Sequence, residues 1–381
     1  MNLMNVLSLN SGSSSIRFGM FRVGSSRLEE LFSDTIDHPD LEGTITRITQ
    51  RFIASGTPPP EAIGHRIVHG GPTLRQHCVI DETVLGQLDA ATAFAPLHMP
   101  RALAIIRFTS EHFVGVPQVA CFDTTFHSAL PDIARVLPLP QQLLTMGIQR
   151  YGFHGLSCES ILHQLNRLFP GELPERVVIA HLGSGASVTA VKGGKSIDTS
   201  MGMTPTGGVV MGTRSGDLDP GVLLHLMRVE KFDAAMLEDL LDRRSGLLGI
   251  SGVSSDMRRL HEVAGENAAA RLAIQMFCYS VRKQVAAMIA VLDGIDLLVF
   301  TGGIGENDAA VRASICGHLS WAGISLDAAR NASATNPISD LRSACPVRVL
   351  ASQEDEQIAR HTATLSRQRV EPVANAGSTK Y

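Results

Sequence analysis

Residues Val177–Val191 read VVIAHLGSGASVTAV: an apolar, largely β-branched run, five small residues, then a second apolar run. The first run has the composition of a buried strand. Gly183, Ser184, Gly185, Ala186 and Ser187 let the backbone turn sharply and bring N–H groups close to a ligand. Val188–Val191 follows at once, so the stretch predicts strand, tight turn, strand. A phosphate-binding P-loop needs a Gly-Lys-Ser/Thr ending that opens a helix, and a dinucleotide fingerprint needs GxGxxG before one. Neither is present here. Taken alone, GSGAS is an ordinary hairpin turn.

Near the start of the chain the pattern recurs. Val6–Phe21 reads VLSLNSGSSSIRFGMF, and Leu9–Ser14 lies over Leu182–Ser187 with small residues in register. Two hydroxyl-rich hairpins, about half a chain apart, predict a duplicated domain in which each half supplies one phosphate-facing turn. The length of 381 residues allows two domains, each with its own core. A formal charge of −4 gives no basic face for nucleic acid or an anionic membrane. No apolar run reaches the length of a membrane span, and Met1–Asn10 lacks a signal-peptide pattern. Cys78, Cys121, Cys158, Cys278, Cys316 and Cys345 are scattered with no CxxC, which predicts reduced thiols in a cytoplasmic protein rather than a zinc site or disulfides.

In chain order, Leu28–Ile53 predicts a strand and then a helix. Ala62–Gly71, AIGHRIVHGG, predicts a strand carrying Arg66. His65 and His69 have the spacing of a helical metal site, but the glycines favour a strand, where chelation is awkward. Glu82–Phe94 is helical in pattern, and Pro96 and Pro100 bracket Leu97-His98 and fix the local backbone. A helix follows over Arg101–Phe113, then a strand over Gln118–Phe122 with Asp123 at its end. That is a place for ligand chemistry in an α/β protein, or equally for a helix N-cap. Arg150–Leu156, RYGFHGL, sets His154 between glycines and fits a loop. Ser196–Pro220 predicts a long ordered loop, and Arg214 amid its glycines favours a functional one. Gly221–Leu292 is largely helical, broken at Arg244–Met257. In Asp296–Asn307, DLLVFTGGIGEN, a strand runs into a glycine turn ahead of a helix, and the glycines let a flat ring or ribose approach. Pro346–Leu350 is a last strand. Glu354–Glu356 heads a helix over Gln357–Leu365, where acids complement the helix dipole, and the tail from Ser366 reads as disordered.

The paired hairpins, the strand–GG–G turn and the acid after a strand resemble the ATPase superfamily of actin, hexokinase and the heat-shock chaperone ATPases. Eight motifs occur in the order seen in the acetate kinase family: NSGSSS (Asn10–Ser15), GHRIVHGG (Gly64–Gly71), APLH (Ala95–His98), FDT (Phe122–Thr124), YGFHG (Tyr151–Gly155), HLGSGAS (His181–Ser187), MGTRSG (Met211–Gly216) and GGIGEN (Gly302–Asn307). The resemblance covers nearly the whole chain. It implies an α/β duplicated two-lobe actin-like ATPase fold, with ribonuclease-H-like mixed sheets flanked by helices and a central nucleotide cleft. The N-terminal lobe would be 1–123, completed by a C-terminal helix 357–381, and 124–356 would form the lobe with the nucleotide motifs. Also implied are a homodimer and Mg2+-dependent (or Mn2+-dependent), reversible, in-line phosphoryl transfer from ATP to acetate, giving acetyl phosphate and ADP.

Such a transfer brings an anion up to an anion, so positive charge must offset repulsion and stabilise the equatorial oxygens. Arg66 and Arg214 match the family's active-site arginines, one to orient the carboxylate and one to clamp the phosphoryl group. A carboxylate is already a competent nucleophile, so Asp123 suits positioning of substrate or magnesium-bound water better than proton removal. By resemblance His154 donates a hydrogen bond to the phosphoryl group in flight, with His98 and His181 assisting. Asn10 and Glu354 would serve Mg2+, which takes oxygen ligands. Ser14, Arg17, Ser187, His181, Leu182, Ser184 and the backbone of Gly183–Gly185 would face the nucleotide phosphates. Gly302, Gly303, Ile304, Gly305, Glu306 and Asn307 would lie under the adenosine, near Asp256, Met257 and Arg258. Val68, Leu97, Phe153 and Pro205 resemble the pocket for the acetate methyl group, where one methylene is worth only about 1–3 kcal/mol. The chain departs from the family at Ser184 (often Asn), Arg17 (often Lys) and Met257 (often aromatic). A propionate or butyrate kinase on the same scaffold is the alternative. A non-catalytic nucleotide-driven module is disfavoured by Arg66, Arg214, His154 and the apolar pocket.

Overall fold

The computed structural model describes residues 3–370 except 13, 14, 26, 38–40 and 97, and of 37, 41, 42, 45 and 370 the backbone alone. The chain divides into two compact units, Met1–Thr125 with Gln353–Tyr381, and Phe126–Ser352, so that Glu354 falls in the first.

In the first unit the N-terminal hairpin forms β1 (Met4–Ser11) and β2 (Ser15–Val23), antiparallel, with Asn10 opposite Arg17. To these the chain adds β3 (Leu28–Asp37), β4 (Ala62–Ile67), β5 (Cys78–Val79) and β6 (Gln118–Phe122), in the order β3-β2-β1-β4-β6-β5. β4 and β6 run parallel to β1, which requires crossovers, and helices Leu41–Ser55 and Met99–His112 supply them. Both faces of the sheet are buried. Leu7, Leu9 and Phe18 pack with Ile48 and Ile105 of those helices, and Val6, Phe21 and Val23 pack with Ala359 and Ala363 of helix Glu354–Val370. Gly64 sets how closely that last helix approaches, because a Cβ there would run into Thr362 Oγ1 and Ile358 Cγ2.

The second unit repeats this plan. β7 (Arg176–Leu182), β8 (Ala186–Lys192) and β9 (Lys195–Thr199) form an antiparallel meander, with Val177 opposite Val191 and Leu182 opposite Ala186. β10 (Leu297–Thr301) runs parallel to β7, and β11 (Val347–Val349) parallel to β10. The order β9-β8-β7-β10-β11 matches β3-β2-β1-β4-β6 strand for strand, with β5 an extra edge on the first sheet. The helix that follows β6 in this plan, Gly155–Leu168, packs Cys158, Ile161 and Leu165 on Val177, Ile179 and Val299 of the second sheet. The helix that follows β11 packs on the first. The two halves of the chain thus exchange their last helices.

Several boundaries differ from expectation. β4 stops at Ile67, so Val68 and His69 lie beyond it; His69 Nδ1 accepts from the Gly71 N–H at 2.8 Å, while His65 stays in the strand and bonds Gln118 at 2.5 Å. Glu82–Phe94 is a helix, Glu82–Ala90, ending in a 3₁₀ turn, Ala91–Phe94. Of Ser196–Pro220, the first residues belong to β9 and the last opens helix Pro220–Arg228 on an Asp219 cap. The break Arg244–Met257 contains a short helix, Gly246–Ser251. Glycines 302–305 do not precede a helix but form one, Gly302–Asn307. The terminal helix starts at Glu354 and runs past a buried Ser366 to Val370, so the polar tail does not begin at Ser366. Among the described residues no helix is long and apolar enough to cross a membrane.

Candidate active site

Parallel strands bring their C-terminal ends together, and the first unit uses this to gather a charged cluster. Asn10 ends β1, Arg66 lies near the end of β4, Asp123 follows β6, and Glu354 opens the last helix. Arg66 Nε and Nη2 grip the Asp123 carboxylate at 2.7–3.1 Å, and Nη1 donates to Asn10 Oδ1 at 3.0 Å. Asn10 Nδ2 in turn donates to Glu354 Oε2 at 3.0 Å, and that oxygen lies 3.9 Å from Arg66 Nη1. The Asp123 side chain is only 1% exposed and that of Arg66 16%. Burial alone would lower the guanidinium's pKa, but Asp123, Glu354 and Asp355 outweigh it and hold the pKa above the ordinary arginine value. To the two alternatives for Asp123, cap or ligand-site acid, the structure adds that it is the bidentate carboxylate partner of Arg66.

Asp355 was not singled out by its sequence. It is buried, its Oδ2 pairs with Arg17 Nε at 2.8 Å, and burial, reinforced by Glu354 and opposed by Arg17, pushes its pKa up to about 6. Arg17, expected beside the nucleotide, therefore holds the head of the last helix. Val68 is buried just beyond β4, and His98 is the N-cap residue of helix Met99–His112. Ser14 and Leu97 lie outside the described residues.

The second unit surrounds its hairpin with different groups. The Gly183 N–H donates to the Gly185 carbonyl at 3.0 Å and closes the turn. A Cβ on Gly185 would stand 3.2 Å from Arg214 Nη1 and 3.3 Å from His154 Nε2, and one on Gly183 would stand 3.8 Å from His181 Nε2 and 3.9 Å from the Gly303 nitrogen. The bare glycines are thus where a guanidinium, two imidazoles and helix Gly302–Asn307 converge. His154 caps helix Gly155–Leu168 in the left-handed conformation, φ 59°, which is costly for a residue with a Cβ and characteristic of functional positions. Its ring stacks on His181 at 4.2 Å and 18°; its Nδ1 lies 3.0 Å from Ser187 Oγ, and His181 Nδ1 lies 2.8 Å from Ser157 Oγ.

Loop 200–219 is pinned rather than loose. The Gly212 N–H donates to the Ser184 carbonyl at 3.1 Å, the Gly208 N–H to Asp217 Oδ1 at 2.7 Å, and Arg214 Nη1 to the Pro205 carbonyl at 3.4 Å. Phe153 and Leu182 are buried, and Ser184 is exposed. Helix Gly302–Asn307 is held at its start by Glu306 Oε1, which accepts from the Gly302 N–H at 2.9 Å. Its end is held by the buried Arg312, which donates to the Gly305 and Glu306 carbonyls at 2.9 Å. A Cβ on Gly303 would meet nothing, and Asn307 Nδ2 donates to its carbonyl at 2.9 Å. Asp256 caps helix Met257–Val263 and pairs with the exposed Arg258 at 2.7 Å, whereas Met257 is buried. His261 of that helix reaches Asp308 Oδ2 at 2.8 Å, which ties Asp256–Arg258 to the segment ending at Asn307.

The model of the acetokinase family matches residues 34–360. An acetate kinase of Methylocella silvestris is 40% identical, over 94% of this chain and 97% of that one. An acetate kinase of Nitrobacter hamburgensis is 44% identical, over 80% of this chain and 75% of that one. Among solved structures, a propionate kinase from Francisella tularensis aligns with a TM-score of 0.86 at 33% identity, over 95% of this chain and all (100%) of that one. An acetate kinase of Porphyromonas gingivalis aligns with a TM-score of 0.84 at 32% identity and the same coverage, 95% and 100%.

Proposed function

The chain belongs to the acetokinase family, and from that premise we propose that it transfers the γ-phosphoryl group of ATP to acetate, reversibly, giving acetyl phosphate and ADP. The observation that carries this reading is Arg66: a buried guanidinium at converging strand ends, in a chain alike over nearly its whole length to acetate kinases. Asp123 and Asn10 lock the guanidinium plane, and Arg66 orients the acetate carboxylate. Arg214 draws the phosphoryl oxygens, His154 donates to them from Nε2, and His181 and His98 assist. The carboxylate attacks without a general base, so positioning and charge stabilisation carry the rate. The turn Gly183–Gly185, with Ser14 and Ser187, receives the nucleotide phosphates, and Gly302–Asn307 with Asp256–Arg258 receives the adenosine. We assign Val68, Leu97, Phe153 and Pro205 to the acetate methyl group.

The first unit's donor set suits a hard divalent cation. Glu354 Oε2 accepts from Asn10 Nδ2 at 3.0 Å, which sets a carboxylate beside an amide, and Asp355 Oδ1 is buried with no hydrogen-bond partner among the described residues. Asn10 and Glu354 would hold Mg2+, or Mn2+ in its place, which would supply neutralisation of phosphate charge. Helices Pro220–Arg228 and Ala234–Arg243 bury none of their residues within the chain, although Val222, Leu224, Met227 and Met236 stand on them. This supports a homodimer formed through that surface. Unpaired cysteines support a reducing, cytoplasmic setting.

Hydroxylamine trapping of acyl phosphate from Mg-ATP with acetate, propionate and butyrate tests the reading. Highest kcat/KM with acetate is expected. Preference for propionate would move the protein to the second reading, with which the likeness to the propionate kinase is compatible, and no acyl phosphate with any acid would overturn both.

A further inference from the structure

Hydroxyl groups behind the two stacked imidazoles carry information about protons. Ser157 Oγ is completely buried and has two partners, Ser352 Oγ at 3.0 Å and His181 Nδ1 at 2.8 Å. The geometry makes Ser352 the donor in the first of these contacts. Ser157 therefore accepts a hydrogen bond from Ser352, and among the described residues its own O–H has His181 Nδ1 as the acceptor to turn to. A buried hydroxyl left without an acceptor costs free energy, so this direction is favoured. Ser352 is itself fixed, because its N–H donates to Glu306 Oε1 at 2.9 Å, the oxygen that also takes the Gly302 N–H. The second ring has a hydroxyl at the same nitrogen. Ser187 is buried, and its hydroxyl lies 3.0 Å from His154 Nδ1.

We infer that Ser352 and Ser157 form a hydroxyl relay that fixes His181 as the Nε2–H tautomer, with Ser187 doing the same for His154. Both rings then present neutral Nε2–H donors toward Gly183 and Gly185, where each Nε2 lies. Ser157 and Ser352 are positioning residues: neither touches the reacting atoms, and both act through His181. The relay also joins two parts of the second unit's site, since Glu306 of the glycine helix holds the serine that orients the phosphate-side histidine. No proton is transferred. The relay sets which nitrogen holds it before substrate arrives, so no reorientation is needed during the reaction. Its use in catalysis rests on the phosphotransfer reading above.

The test combines histidine-selective 15N NMR with kinetics on the full-length protein. Wild type is expected to show His181 protonated on Nε2 and unprotonated on Nδ1. Ser157→Ala should give a mixture of tautomers and lower kcat about tenfold, the scale seen when a hydrogen-bond partner behind a functional imidazole is removed. KM for ATP should move less than kcat. Ser352→Ala, which leaves Ser157 in place, should shift the tautomer and kcat in the same direction by less, and it controls for misfolding of the buried variant. Protonation of His181 on Nδ1 in wild type, or an unchanged tautomer in Ser157→Ala, overturns the relay. A tautomer that shifts in a wild type unable to form acyl phosphate leaves the relay standing and overturns the proposed function instead.

Discussion

The two units build the same meander, β1-β2-β3 and β7-β8-β9, each flanked by parallel strands in the same order, yet they surround their hairpins with opposite chemistry. At the first, three carboxylates (Asp123, Glu354, Asp355) face two guanidiniums (Arg17, Arg66) in a nearly closed network of ion pairs. At the second, imidazoles, hydroxyls, bare glycine backbone and Arg214 gather, and Arg214 donates to a carbonyl and a thioether. Duplication preserved the backbone that brings strand ends together. What stands at those ends diverged, one set built on carboxylate–guanidinium pairs, the other on imidazoles, hydroxyls and one guanidinium.

Removing each unit's arginine gives the largest expected contrast. Arg66→Ala and Arg214→Ala should each lower kcat by about a thousandfold, the scale of losing a charge that stabilises a phosphoryl transition state. Their stabilities should differ. Arg66→Ala removes the bidentate ion-pair partner of the buried Asp123 and should cost about 3–5 kcal/mol in urea unfolding, and Arg214→Ala should cost less. Adding Asp123→Ala to Arg66→Ala should restore stability without activity. Equal stabilities for the two arginine variants would break the contrast drawn here.

Single methyl groups sharpen the comparison at the turns themselves. Gly185→Ala presses a Cβ to 3.2 Å from Arg214 and 3.3 Å from His154, and about a tenfold loss of kcat is expected. Gly12→Ala in the first hairpin meets, among the described residues, Ser15 O at 3.5 Å and Ser15 Oγ at 3.9 Å, ordinary contacts, and activity should stay within about twofold. A Gly12→Ala variant as impaired as Gly185→Ala would show that the first turn is equally crowded when the enzyme works.

Each unit also buries a neutral histidine away from its hairpin. Burial pushes the pKa of His65 down to about 4 against the opposing bond to Gln118, and that of His127 down to about 4 against the Phe153 carbonyl. Below the unfolded value of about 6.5 the unfolded chain binds protons that the folded chain refuses, so stability present above that pH is lost as pH falls toward 4. By pH 5 each histidine should cost about 2 kcal/mol. Urea unfolding at pH 7 and pH 5 measures the loss, and His65→Gln and His127→Gln should each remove one unit's share; an unchanged pH slope in both would refute it.

Both hairpins are legible from sequence because small residues between apolar runs have few alternatives. Arg66, His154 and Arg214 stand out as charged or polar residues among glycines. Helix Gly302–Asn307 is not legible, because glycine is a poor helix former and its ends are held by Glu306 and Arg312 through contacts that local pattern does not encode. Asp355 reads as one of three acids at a helix start, and only its pairing with Arg17 of β2 sets it apart. Ser157 looks like any serine in a helix, since Ser352, its donor, lies 195 residues away in the chain.

The exchanged terminal helix has a consequence for how the protein is made. The second unit is a continuous segment, Phe126–Ser352, and can close as soon as it emerges from the ribosome. The first unit, although synthesised earlier, waits for Glu354–Val370 to cover Val6, Phe21 and Val23. An earlier-made part of the nascent chain is therefore sealed later, and its apolar sheet face stays bare until Glu354–Val370 has been made.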